Sequence, residues 1–308
     1  MISIFIPVRN EERNLPDCLE SVLWSDDVHV YDTGSTDATA EVAVAGGAKV
    51  ISRESHGSKE IFGGDEAAHK NWAMANTPFR YDWVLHLDAD ERVTPELATS
   101  IARAVQAPGA NVAFRIRRRD FWGKTWLKHA VNSSYYIRLF RPGKMRYERV
   151  INPVSVPQGP VGELDGFLDH FPFSKGMDHW LERHNAYSSL EARQIQKNRS
   201  ANQEFSVVQA FFGKDRNERR FHQKEIFYRM PARPLLKFLL LYVGKRGFLD
   251  GGAGLRYAML QSVYEYMIVL KSRELAATCT TASRRDLRLA DESTIAVEGV
   301  YADPNSTE

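Results

Sequence analysis

The first eight residues form an apolar run of strand length rich in β-branched residues, Met1-Ile2-Ser3-Ile4-Phe5-Ile6-Pro7-Val8, which predicts a buried parallel strand. A polar turn over residues 9–14 follows. Leu15, Leu19, Val22 and Leu23 then recur at helical spacing, with Pro16 in the first turn where a missing N–H costs nothing. The cycle repeats: residues 28–31 predict a second strand, Thr33-Gly34-Ser35-Thr36-Asp37 a loop ending in capping residues, and an alanine-rich helix runs to Gly46-Gly47. Residues 48–51 make a third strand. After a glycine-rich connection at Gly63-Gly64, residues 65–76 read as a helix and 82–87 as a fourth strand. Strands alternating with helices imply right-handed crossovers and a mostly parallel sheet. Thr94-Pro95-Glu96 opens a further helix with threonine as its cap.

From residue 111 the rhythm changes. Residues 112–116 and 135–140 have strand patterns, but basic, aromatic and glycine-rich segments lie between and after them, so an antiparallel extension is expected. A helix is predicted over 178–197 and a polar linker around 214–220. An apolar run follows at 235–243, then Gly247-Phe248-Leu249-Asp250-Gly251-Gly252, a helix over 255–271 and a poorly ordered tail. The division expected from these shifts is 1–212 for an α/β domain, 213–274 for a helical, basic appendage and 275–308 for the tail.

Length and composition narrow the class. At 308 residues, with 43% hydrophobic and 26% charged, the chain is a globular protein with one large core or a core plus an appendage, and fibrous and wholly disordered classes drop out. Cys18 and Cys279 are its only cysteines and are far apart in the chain, so neither a disulfide framework nor a cysteine zinc site is built from them, and a reducing compartment is the default. No secretory leader pattern and no stretch near the roughly 20 apolar residues that span a bilayer are present, which reads as cytoplasmic, with attachment to a membrane surface still open.

The chemistry concentrates after the strands. Leu87-Asp88-Ala89-Asp90-Glu91 puts three carboxylates at the carboxyl end of an apolar strand, the edge where open α/β sheets bind ligands. Three acids in four residues repel unless a cation or donors offset them, and a divalent cation is the economical explanation. Asp88 and Asp90 point the same way only if the extended geometry continues through them. Asp32, after the second strand, and Pro7-Val8-Arg9-Asn10-Glu11-Glu12, after the first, converge on the same edge. A solvated acidic turn and a capping aspartate are the plain alternatives.

These three segments resemble the N-terminal signatures of family 2 glycosyltransferases, which have the GT-A fold. Further on, Arg138-Leu139-Phe140-Arg141, Gly159-Pro160-Val161-Gly162, Leu168-Asp169-His170 and residues 247–254 are similar to the branch typified by lipooligosaccharide core β-1,4-glucosyltransferases. The resemblance implies an α/β fold of the GT-A, Rossmann-like kind: a mostly parallel sheet flanked by helices, with an antiparallel extension and a helical C-terminal appendage. It implies an inverting enzyme that uses a nucleotide-diphosphate sugar, a UDP-sugar above all, with Mg²⁺ or Mn²⁺. Asp32 would then bond the donor base, Asp88 lie near the ribose or metal and Asp90 ligate the metal. Pro7, Arg9, Asn10, Glu12 and Lys70 would line the donor crevice, and His170 complete the metal shell. An inverting transfer also needs a base for the acceptor hydroxyl. Where related proteins carry His-Glu, this chain reads Val150-Ile151-Asn152-Pro153, and asparagine is no base, so the candidates are Glu148, Glu91 and Asp165.

Arg115, Arg117-Arg118-Arg119 and Phe121-Trp122-Gly123-Lys124-Thr125-Trp126 suit phosphate and ring binding, but a net charge of +2 lacks the footprint of a nucleic-acid binder, and a phosphorylated glycolipid or polysaccharide acceptor explains them equally. Arg229, Arg233, Lys237, Lys245 and Arg246 around an apolar run read either as a core helix or as a peripheral contact with the anionic inner face of the cytoplasmic membrane. Two other functions stay open: a sugar nucleotidyltransferase, disfavoured by the lack of a glycine-rich, lysine-bearing loop after the first strand, and a non-catalytic nucleotide-sugar or glycolipid binding module.

Overall fold

A computed structural model of the chain describes residues 1–53, 66–148, 153–200, 205–213 and 216–298. The Gly63-Gly64 connection, Val150-Ile151-Asn152, and Lys214 at the head of the expected linker lie outside the described residues. The chain divides into two compact units, Met1–Trp180 with Lys245–Leu255, and Leu181–Gly244 with Arg256–Glu308.

In the first unit the chain runs β1 (Ser3–Val8), α1 (Leu15–Glu20), β2 (Val28–Asp32), α2 (Thr39–Ala45), β3 (Lys49–Ser52), α3 (Glu66–Asn76), β4 (Val84–His86), β5 (Glu91–Val93), α4 (Pro95–Gln106), β6 (Ala113–Trp122), β7 (Thr125–Trp126), β8 (Tyr135–Phe140), β9 (Met145–Glu148), β10 (Val154–Pro157) and β11 (Val161–His170). Helix α5 (Met177–Ser200) leads into the second unit, which holds α6 (Val207–Phe212), α7 (Arg216–Arg229), α8 (Arg233–Leu239), a π-helical turn over Leu240–Gly244 and most of α9 (Gly251–Glu298).

The main sheet has the order β3-β2-β1-β4-β8-β6-β11-β5, with β7 paired to β6, while β9 and β10 form a separate antiparallel pair. Strands β3, β2, β1 and β4 are all parallel. Strand β8 runs antiparallel to both β4 and β6, β11 is parallel to β6, and the short β5 is antiparallel to β11. The α/β architecture expected of a GT-A protein is present, and the antiparallel extension begins at β8.

Why the sheet opens where it does follows from β1. All six of its residues are buried, as a strand covered on both faces requires. The Ser3 N–H donates to the Trp83 carbonyl, the Leu87 N–H donates to the Phe5 carbonyl, and the Ile4 N–H turns the other way to the Asp27 carbonyl. Odd residues of β1 therefore face β4. Pro7 is the next one in that series and has no N–H to give, so β1 and β4 part there. The chain leaves β1 for β2 on one side and returns to β4 on the other, which makes this fork the topological switch point of the sheet.

Strand β5 was not expected, and it changes the acidic segment. The Glu91 N–H donates to the Asp88 carbonyl at 2.9 Å and closes a turn, so the extended geometry does not continue through Asp88 and Asp90. Thr94 caps α4, its hydroxyl accepting from the Leu97 N–H at 3.3 Å and donating to the Phe167 carbonyl at 3.0 Å. That docks α4 on a bulge of β11, where Gly166 at φ +95° has no room for a Cβ: one would meet the Leu97 nitrogen at 2.7 Å.

Away from the fork, Asp27 anchors the amino ends of the strands. It is fully buried, accepts from Ser3 Oγ (2.5 Å), Lys49 Nζ (2.7 Å) and the Arg80 N–H (2.9 Å), and shares a bond with His29 Nε2 at 2.9 Å. Burial works against its charge, and Lys49, Ser3 and the Arg80 amide outweigh it, holding the carboxyl well below the ordinary range. Its stabilising contribution is present above the unfolded carboxylate pKa, about 4, and is lost as pH falls towards the depressed folded value. Asp27→Asn should therefore cost about 2–4 kcal/mol at pH 7. In urea unfolding the gap from wild type should narrow from pH 5 to pH 3; a pH-independent gap would mean that shape alone matters at this position.

Candidate active site

Three loops meet at the carboxyl edge of β1, β2 and β4. The first two are stitched together. Asn10, in the left-handed region at φ 56°, donates its N–H to Ser35 Oγ (2.9 Å) and accepts from the Thr36 N–H on Oδ1 (2.7 Å). The Glu11 N–H bonds Thr39 Oγ1 at 2.8 Å, and Glu12 Oε2 accepts the Ala38 N–H at 3.1 Å. Lys175, beyond β11, clasps this loop by donating to the Asn10 carbonyl (2.7 Å) and to Glu11 Oε1 (2.5 Å). Burial raises the Glu11 carboxyl, Lys175 opposes the rise, and the nearby Asp90 charge adds to it.

Asp32 ends β2 opposite Val8. Its Oδ1 accepts from the Ser35 N–H (2.9 Å) and hydroxyl (2.7 Å), an Asx turn that fixes the carboxylate; among the described residues nothing donates to Oδ2. Pro7 is buried beside Tyr31, and Arg9 is half-buried at the head of the first loop.

The acids after β4 divide into different environments. Glu91 is fully buried, with Oε2 accepting the Asp88 N–H (3.0 Å) and Oε1 accepting from Arg138 Nη2 (2.8 Å). The same guanidinium bonds Asp88 Oδ2, so Arg138, from β8, bridges both carboxylates. Burial pushes both acids up. For Asp88, whose side chain is 38% exposed, Arg138, His86 and Lys70 outweigh burial and hold it well below the ordinary range; for Glu91 burial wins and the carboxyl is raised. His86 stands behind Asp88, with Nε2 3.4 Å from Oδ1 and Nδ1 sharing a 2.6 Å bond with the Tyr147 hydroxyl. Burial lowers its pKa to about 4, so it is a neutral imidazole at pH 7. Lys70 Nζ lies 5.5 Å from the centre of the Tyr147 ring, which brings it to the same cluster.

Asp90 faces His170 at 3.3 Å, and His170 Nδ1 bonds Asp120. Burial disfavours the imidazolium, but Asp90 and Asp120 raise its pKa to about 9, so the ring carries a proton that it would have to shed before binding a metal. Among the described residues no three or more His, Cys, Asp and Glu side chains stand together as a metal cage. An ionised Asp88 and a partly exposed Asp90 still fit the hard cation that takes one or two carboxylates and fills its shell with phosphate and water.

The remaining expected residues lie apart. Glu148 ends β9 next to Tyr147, 49% exposed and paired with Arg146 at 2.6 Å. Asp165 is exposed in mid-β11, five residues before His170, on the order of 16 Å away at about 3.3 Å per residue. Of the basic run, Arg119 grips Asp169 through two bonds (2.6 and 2.8 Å), Arg118 pairs with Asp120 at 3.2 Å, and Arg117 lies 5.0 Å from the Tyr135 ring centre, so carboxylates and rings account for them. On the α1 side, a cavity of about 600 Å³ is lined by Phe121, Phe171 and Phe173 together with Arg13, Asp17 and Arg92, and the Phe171 N–H donates to the Asp90 carbonyl. Sequence reading missed Lys175, His86, Tyr147 and Asp120, and quoted Arg138 without giving it a part; an arginine in an apolar strand, 7% exposed, was the one signal to follow.

Three acid-bearing loops thus meet at the switch point of an open α/β sheet, the place where such sheets bind their ligands. Residues 3–161 match the family described as Glycosyl transferase family 2, and the chain belongs to that family. It is 29% identical over 279 residues to the lipopolysaccharide core biosynthesis glycosyltransferase LpsC of Rhizobium meliloti, across 88% of this chain and 91% of that protein. To an uncharacterized glycosyltransferase of Rickettsia bellii it is 24% identical over 93% of this chain and 91% of the relative. Among solved structures, glucosyl-3-phosphoglycerate synthase from Mycobacterium tuberculosis, in complex with Mn²⁺, uridine-diphosphate-glucose and phosphoglyceric acid, is 23% identical with a TM-score of 0.32, covering 38% of this chain. The match spans 43% of that chain, under half its length. The protein is a glycosyltransferase, which removes the nucleotidyltransferase and the pure binding module from consideration.

Arg138→Met should lower stability by about 3–5 kcal/mol, since it leaves Asp88 and Glu91 facing each other without a cation. Adding Glu91→Gln should recover part of the loss. Thermal melts of the single and double variants check this, and a double variant no better than the single one would refute the bridge.

Proposed function

We propose that the protein moves a sugar, a hexose such as glucose, with inversion from a nucleoside-diphosphate sugar to a cell-envelope glycolipid or polysaccharide acceptor of the lipopolysaccharide core type. The reading rests on the convergence of Asp32, Asp88 and Asp90 at the β1/β4 fork in a chain of family 2. The similarity to LpsC over nearly the whole chain favours an acceptor in the lipopolysaccharide core.

Asp32, with Oδ1 pinned by Ser35, presents Oδ2 to a base N–H, and a UDP-sugar is the donor we favour. Asp88 and Asp90 would hold Mg²⁺ or Mn²⁺. Such an ion, when bound, offsets charge growing on the diphosphate as the glycosidic bond breaks, which is tighter binding of the transition state than of the ground state. Arg138 and Lys70 keep Asp88 ionised for that task, and Glu91, without exposed surface, positions the Asp88 backbone rather than reaching the acceptor. The acceptor oxygen attacks the anomeric carbon from the face opposite the diphosphate; its bond forms as the carbon–diphosphate bond breaks, and its proton passes to a carboxylate. Of the three candidate bases we favour Glu148, which is exposed and follows Tyr147 in β9, its side chain paired with Arg146 on the exposed face of that strand. The cavity walled by Phe121, Phe171 and Phe173 offers ring faces and charged groups to an acceptor sugar.

Among the described residues no helix is long and apolar enough to cross a membrane. A peripheral contact with the inner face of the cytoplasmic membrane is our reading of the second unit, where Leu235, Leu239, Leu240 and Val243 stand exposed. Of the basic residues expected to serve it, Arg229 and Arg233 are held by Glu225 and Glu265.

Titration calorimetry tests the donor assignments. Asp90→Ala should abolish the Mn²⁺-dependent part of UDP-sugar binding, and Asp32→Ala should weaken UDP and UDP-sugar alike by about 1–3 kcal/mol, the loss of one charge-assisted hydrogen bond. Unchanged affinity in both variants would sink the site. Glu148→Gln should lower kcat at least a hundredfold with donor affinity intact; wild-type kcat would move the base elsewhere.

A further inference from the structure

Asp88 is approached from two sides. Arg138 donates to Oδ2, and His86 stands at Oδ1 with its Nε2 3.4 Å away. The second contact is loose: Nε2 is buried and completes no aligned hydrogen bond, so what it gives Asp88 is the charge on that side of the ring. The sign of that charge depends on the tautomer. A neutral imidazole carries a proton on one nitrogen and a lone pair on the other. With the proton on Nε2 the ring turns a positive N–H towards the carboxylate; with the proton on Nδ1 it turns a lone pair towards it, and the two repel.

The partner of Nδ1 decides between them. Nδ1 shares a 2.6 Å hydrogen bond with the Tyr147 hydroxyl, and a hydroxyl that donates there makes Nδ1 the acceptor and leaves the proton on Nε2. Tyr147 is fixed from several directions. It is buried, and its ring stands edge-on to His86 (5.8 Å, 89°) and to Phe140 (6.5 Å, 85°). Strand β9 lies outside the main sheet, so the ladder of that sheet does not hold it. Asn71 of α3 does: its Nδ2 donates to the Tyr147 carbonyl at 2.9 Å, and its Oδ1 accepts the Tyr147 N–H at 2.8 Å.

We propose that Tyr147 is a positioning residue for the donor site: its hydroxyl donates to Nδ1 and fixes His86 with Nε2 protonated, so that Asp88 is held between the His86 N–H and Arg138 and keeps its outer lone pairs for a divalent cation. That role rests on the cation assignment of Asp88 made above. Partners standing one contact behind a metal ligand change metal affinity by about 10–100-fold when they are lost.

The test uses the whole chain, free of metal, with isotope-labelled histidine and nitrogen NMR at neutral pH. The His86 signals, identified by their absence from His86→Gln, should show a protonated Nε2 and a bare Nδ1 in wild type. Tyr147→Phe, which keeps the ring and loses the hydroxyl, should show a mixture of both tautomers. Calorimetric titration of Mn²⁺ into the UDP complex should show an affinity about tenfold weaker in Tyr147→Phe, with metal-free UDP binding unchanged. Made in His86→Gln, the same substitution should cost no further affinity, because a side-chain amide has no tautomer to fix; a purely structural role would weaken both backgrounds alike. Asn71→Ala, which loosens the clasp and leaves both rings intact, should shift the tautomer in the same direction and serves if Tyr147→Phe does not fold. A proton on Nδ1 in wild type, an unchanged His86 spectrum in the variants, or wild-type Mn²⁺ affinity in Tyr147→Phe overturns this role alone. No Mn²⁺ binding by wild type would overturn the donor assignment, and this role with it.

Discussion

One guanidinium holds the acidic edge of this sheet together. Asp88, Asp90 and Glu91 follow β4 within four residues, and like charges so close in a partly buried place cannot all ionise without a counter-charge. Arg138 supplies it to two of them, and His170, protonated between Asp90 and Asp120, supplies it to the third. Both come from the antiparallel half: Arg138 from β8, which lies directly beside β4, and His170 from the end of β11, which pairs with β5. The parallel half brings the acids to the crevice, and the antiparallel half makes their charge tolerable.

The same arrangement sorts acids of identical chemistry into different duties. Glu91 is raised by burial and fully engaged; Asp88 is depressed and keeps part of its side chain exposed; Asp32 has one oxygen tied and, among the described residues, one without a donor. Nothing in Asp-Ala-Asp-Glu distinguishes these states, because the distinction is made by which strand lies opposite.

Legibility from sequence followed the range of the interactions involved. Strands β1, β2 and β3 and the Thr94 cap were readable to within a residue or two, since periodicity and capping are local. Asp32 and Asp88 were readable as strand-end acids for the same reason. Strand β5 is three residues long and exists only because β11 runs beside it, and β11 hides its own pattern behind Gly162 and Gly166. Arg138 lies 50 residues from Asp88 and Lys175 lies 165 from Asn10, separations at which no local pattern signals contact. The run Arg117-Arg118-Arg119 looked like a phosphate binder because Asp169, the partner of Arg119, reaches it only through the register of β6 with β11, although Asp120 lies two residues from Arg118 in the same strand.

The stitching of the first two loops bears on how a ligand arrives. Asn10, Glu11 and Glu12 are bonded to Ser35, Thr36, Ala38 and Thr39, and Lys175 pins the assembly from a third direction. Each bond fixes backbone that a flexible crevice would have to order on ligand binding, at roughly 1–2 kcal/mol of entropy per residue. That ordering is already complete when the chain folds. Association at this end of the crevice is thus a docking onto a rigid seat, governed by encounter frequency and solvent release, and a mutation that loosens the seat would slow arrival and hasten departure without touching any atom that meets the ligand.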